Sequence, residues 1–167
     1  MNKQLPFKTS VTYGRFNLPH KGHLDLFQQM AEVSDRVVIG LSNHPDNLPT
    51  NRRLHAIGKL LSAEKINYSI IPARQPFELL NSVAKTLVPE ETVAFFGQDQ
   101  FKLAAAVTRV MGWQSKTIER LSASTLLRSL IDNEDWDLLS REIPASIFNE
   151  VIELRRLEIE RNNLKLL

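Results

Sequence analysis

The chain has 167 residues, a net charge of +2 and no cysteine. That length suits one domain with its own core, and the missing cysteines exclude disulfide scaffolds, thiolate zinc sites and cysteine nucleophiles while suiting a reducing, cytoplasmic setting. Basic residues are scattered rather than clustered, the N-terminus has no apolar signal core, and nowhere do about 18 apolar residues run unbroken, so neither a nucleic-acid nor a membrane partner is expected.

Short β-branched or aromatic runs alternate with stretches of helical spacing. "TSVTY" at 9–13 leads into a predicted helix over 21–33, and "RVVIGLS" at 36–42 into one over 51–63. "NYSIIP" at 67–72 leads into a helix over 76–87, and "TVAFF" at 92–96 into one over 99–111. A fifth run, "SKTI" at 115–118, precedes a helical tail over about 124–167, read as a short helix pair and a longer terminal helix with Pro144 in its first turn. Near-continuous apolar strands separated by helices predict a parallel sheet covered on both faces. Right-handed crossovers then make the chain a single doubly wound, five-stranded α/β domain. In the tail, Ile147, Val151, Leu154 and Leu157 form one apolar stripe, expected to pack on the sheet or on a second subunit of a homo-oligomer.

Ligands of such a sheet bind beyond the carboxyl ends of its strands, near the point where strand order reverses. The stretch "TYGRFNLPHKGHLDLF" at 12–27 falls there. Gly14 ends the first strand where the backbone must turn or approach a ligand. Gly22 opens the following helix, where bare amides and the positive end of the dipole favour an anion. His20 and His23, three apart, share a face of the first turn and can donate to phosphate oxygens as charge builds in a transition state; Lys21 adds a cation. No third ligand is spaced to make the pair a zinc site, and His44 and His55 have no comparable setting.

A second anion site is expected at "ERLSASTLLRSL", 119–130. Its Ser/Ala/Ser/Thr run offers capping hydroxyls and free amides at a helix start. Arg128 follows Ser124 by four positions, and helical side chains lean toward the N-terminus, so the guanidinium can reach the same anion. Between the two stretches, "FFGQDQF" ends the fourth run, with Gly97 permitting close approach and Asp99 placed to accept from a ribose diol.

"GRFNLPHKGH" resembles the G-x-F-x-P-x-H-x-G-H signature of the nucleotidylyltransferase superfamily, with Leu18 where that signature has proline and Pro19 following. "SASTLLR" is similar to its second signature, I-S-S-T-x-x-R, and the G-x-D stretch and the tail after Arg128 resemble single-domain nicotinamide mononucleotide adenylyltransferases of the archaeal type. The resemblance implies a Rossmann-like, HUP-type fold and transfer of AMP from ATP to a small phosphorylated acceptor with release of pyrophosphate. It implies that His20, His23 and Arg128 act on the phosphates, and that Gly14, Arg15, Phe16, Lys21, Gly22, Gly97, Asp99, Ser124 and Thr125 line the nucleotide. Arg53, Phe101 and Trp113 are expected at the acceptor, and Mg2+ is expected to accompany the triphosphate.

Phosphopantetheine and alcohol phosphates with CTP stay open as alternative substrates. So does a nucleotide-sensing module that binds without turnover. Class I aminoacyl-tRNA synthetases use a related histidine element, but this chain has no K-M-S-K-S counterpart and no room for a tRNA-binding domain.

Overall fold

The computed structural model describes residues 5–97, 100–118 and 123–165, with the side chain of Phe101 also outside the description. Five parallel strands, β1 (Phe7–Gly14), β2 (Ser34–Ser42), β3 (Tyr68–Ala73), β4 (Thr92–Gly97) and β5 (Gln114–Ile118), lie in the order β3-β2-β1-β4-β5. Strand order therefore reverses between β1 and β4, where Thr9 pairs with Thr92 and Val11 with Ala94. The helices are α1 (Lys21–Val33), α2 (Thr50–Ala63), α3 (Pro76–Ala84), α4 (Phe101–Met111), α5 (Ser124–Asp132), α6 (Trp136–Glu142) and α7 (Phe148–Leu164).

The unbroken apolar runs exist because both sheet faces are covered. Val37, Ile39, Leu41, Val93 and Phe95 point into one core with α1, α2, α5, α6 and α7; Val38, Ala94 and Phe96 point into another with α3 and α4. Side chains alternate faces along each strand, so a strand buried on both sides shows no polar alternation.

Three boundaries differ from the sequence expectation. The third helix stops at Ala84, before the 3-10 turn Pro89–Glu91 that feeds β4. The fourth helix begins at Phe101. Pro144 caps a separate 3-10 turn, Ala145–Ile147, and α7 starts only at Phe148. The stripe of Ile147, Val151 and Leu154 is buried within the chain, with α2 and α5 both packed on α7, and Lys59 reinforces the α2 contact through Glu150 at 2.6 Å. No helix among the described residues is long and apolar enough to cross a membrane.

Candidate functional site

The loop after β1 is shaped by its own aromatic rings. Phe16 has φ 47°, a left-handed conformation that costs a bulky residue on the order of 1–2 kcal/mol. That backbone turns the ring inward, where it is buried and packs edge-on against His23 at 5.0 Å and against Phe27 at 5.6 Å. A Cβ on Gly14 would stand 2.7 Å from the Phe16 ring, so this glycine is required by the ring. The Phe16 side chain, expected to line the nucleotide, is thus buried against His23. Leu18 is buried in the same core.

His20 is the N-cap of α1. Its Nδ1 accepts from the Gly22 amide at 3.1 Å, while its carbonyl accepts from the amides of His23 and Leu24 at 2.9 and 3.1 Å. The expectation of bare amides at Gly22 is corrected: the amides of residues 22, 23 and 24 are bonded to His20. A Cβ on Gly22 would meet the His20 ring at 3.0 Å, a tight contact that would press on the capping ring. Burial lowers the His20 pKa to about 4, so the ring is neutral at pH 7. A neutral ring whose Nδ1 accepts must carry its proton on Nε2. His23 lies beside it, ring centroids 3.9 Å apart, and Arg15 and Lys21 are exposed.

Arg53 does not reach an acceptor. It has no exposed surface; Nε donates to the Leu48 carbonyl at 2.7 Å, Nη2 to the Ser42 carbonyl at 2.7 Å, and Nη1 to the carbonyl of Arg15. One guanidinium therefore ties together the loop after β1, the end of β2 and the entry to α2. Burial lowers its pKa to about 10, which leaves it a cation at neutral pH. Trp113 is corrected likewise: it is 1% exposed within the core under α4 and cannot stack on a ligand.

At α5 the N-cap is Ala123, in helical conformation, so the cap position itself offers no hydroxyl. Ser124 is half-buried and Thr125 exposed in the first turn. Leu127, Leu130 and Ile131 join the core that holds Phe16, Leu26 and Phe27, so both helices following the motif loops share one sheet face. Arg128, a turn further on, is held by Glu158 of α7, a residue the sequence reading missed. Gly97 closes β4 opposite Ile118. Asp99 and Ser122 lie outside the described residues. The described residues contain no group of three His, Asp or Glu side chains able to hold a metal ion.

A family model described as cytidylyltransferase-like matches residues 11–104, which include the whole loop after β1. A nicotinamide-nucleotide adenylyltransferase of Pyrococcus furiosus is 26% identical over 95% of this chain and 92% of its own. A glycerol-3-phosphate cytidylyltransferase of Bacillus spizizenii is 35% identical, but over only 29% of this chain and 37% of its own. Among solved structures, a nicotinate-nucleotide adenylyltransferase described as putative, from Vibrio parahaemolyticus, superposes with a TM-score of 0.66 at 15% identity, covering 87% of this chain and 99% of its own; that likeness concerns the fold.

Proposed function

This chain belongs to the cytidylyltransferase-like family, and from that premise we propose that it transfers AMP from ATP to nicotinamide or nicotinate mononucleotide, releasing pyrophosphate and forming an NAD-type dinucleotide. The observation that carries the choice of acceptor is similarity along 95% of the chain to a nicotinamide-nucleotide adenylyltransferase, against a short segment shared with a cytidylyltransferase.

A phosphate oxygen of the acceptor attacks the α-phosphorus of ATP in line, and the bond from that phosphorus to the bridging oxygen of the β-phosphate breaks. A phosphate monoester is already anionic near neutral pH, its second pKa being about 6, so no general base is needed. Positioning and charge stabilisation carry the reaction. The Nε2 proton of His20 is a fixed donor, because the Gly22 amide holds Nδ1 as acceptor. His20 and His23 receive the α- and β-phosphates, and Ser124, Thr125 and Arg128 receive the β- and γ-phosphates.

Magnesium is proposed to arrive as part of the nucleotide substrate, ligated by phosphate and water, since the described residues gather no set of carboxylate or imidazole ligands. A cytoplasmic setting suits a chain free of cysteine. The test is a panel of nicotinamide mononucleotide, nicotinate mononucleotide, phosphopantetheine and glycerol phosphate with ATP and CTP, read by pyrophosphate release. The pyridine mononucleotides with ATP should give the highest kcat/KM. Turnover of another acceptor and not of these overturns the acceptor assignment; binding of ATP with no turnover of any acceptor overturns the enzymatic reading.

A further inference from the structure

Four charged side chains link α5 to α7. Arg128 donates from Nε to Glu158 Oε2 at 2.8 Å and from Nη2 to Oε1 at 2.7 Å, a two-point contact along one edge of the guanidinium. Glu158 Oε2 also accepts from Arg155 Nη1 at 2.7 Å. Arg155 in turn is clamped by Asp132, through Nε at 3.0 Å and Nη2 at 2.6 Å. Asp132 and Arg128 sit four residues apart on α5, so the chain of bonds begins and ends on the same helix.

Burial divides the roles. The Glu158 side chain is 8% exposed and that of Arg155 12%, whereas Arg128 is 34% exposed. A buried carboxylate gripped by two arginines is fixed in place, and the partly open Arg128 takes its orientation from it. Burial pushes the Glu158 carboxyl up, but the bonds from Arg128 and then Arg155 outweigh this and hold it ionised, below the ordinary glutamate range. A guanidinium has two edges suited to a two-point contact with oxygens. Glu158 occupies the Nε edge, and among the described residues Nη1 has no protein partner, so the end-on edge is left for a ligand.

We propose that Glu158 is a positioning residue for nucleotide binding, presenting the end-on edge of Arg128 to the triphosphate. This rests on the role of Arg128 proposed above. The alternative, that Glu158 competes with the triphosphate for Arg128, predicts the opposite sign, which makes the two separable. Glu158 lies on the apolar stripe of α7, four residues after Leu154, a place where a carboxylate needs a reason.

The test is calorimetric titration of MgATP into the wild type, Glu158→Gln, Arg128→Gln and the double variant, with KM for ATP and for the acceptor measured alongside. Glu158→Gln should weaken MgATP binding about tenfold and raise KM for ATP without raising KM for the acceptor. In the Arg128→Gln background the same substitution should have no further effect on MgATP, because its action runs through Arg128. Glu158→Asp, which keeps the charge but withdraws the carboxylate by one methylene, should show the same nucleotide-selective loss and decides the matter if Glu158→Gln does not fold. Tighter or unchanged MgATP binding in Glu158→Gln, or losses that add in the double variant, overturn the proposal while leaving Arg128 as a phosphate ligand. Unchanged binding in Arg128→Gln overturns both.

Discussion

The Gly22 amide donates to the Nδ1 of His20, two positions earlier, so the residue that caps α1 also has its tautomer chosen by the helix it caps. This has a consequence for pH. The unfolded chain takes up a proton on this residue near 6.5 and the folded chain only near 4, so between those values the unfolded state binds more protons. Stability from His20 is therefore complete above about pH 6.5 and falls as pH drops toward 4, by up to about 3 kcal/mol. His20→Asn keeps an acceptor for the Gly22 amide and should lose this part of the slope, measured as the difference between urea unfolding free energies at pH 7 and 4.5. An identical slope in wild type and variant would show that His20 is not buried neutral.

If His23 meets the phosphates as proposed, His23→Ala should lower kcat on the order of a hundredfold with the fold retained, through loss of a donor to developing charge. Steady-state kinetics with circular dichroism checks this. Near-normal kcat in a folded variant would return His23 to a packing role on Phe16.

Arg53→Lys should destabilise the protein by roughly 3 kcal/mol, because an ammonium cannot reach the three carbonyls of Arg15, Ser42 and Leu48 together and leaves buried acceptors unpaired. The loop after β1 loses its tie to α2, so kcat/KM should fall for both substrates. A urea midpoint equal to that of the wild type would contradict the buried role.

Trp113→Phe should cost on the order of 1–3 kcal/mol through the cavity it leaves. KM for the acceptor should stay within about twofold, since the ring is covered by the α4 core. A large selective rise in acceptor KM would place Trp113 at the ligand after all.

The alternation of strands and helices in the sheet could be read from the sequence because period and spacing are local. Side-chain surroundings are not local, and that is where the reading failed. Arg53, expected at the acceptor, stands four residues before Ile57 and seven before Leu60, on the buried face of α2. Glu158 follows Leu154 by one turn in the same way. A charge continuing an apolar stripe was the available signal in both cases. Nothing comparable marked Ala123 as the cap of α5, where the neighbouring Ser and Thr favour a hydroxyl. Trp113 could not be distinguished from a stacking platform until its surroundings were known.

The central position of β1 also bears on how the chain comes together as it is made. One edge of β1 is satisfied early, by β2. The other waits for β4, whose Phe95 carbonyl accepts from the Thr12 hydroxyl across 83 positions of sequence. Closing a loop of that length is entropically slow, and until it closes the strand that delivers the histidines offers a bare row of amides and carbonyls to any neighbouring chain. A nascent or partly unfolded molecule is therefore most prone to aggregate through the strand that leads into the loop of His20 and His23.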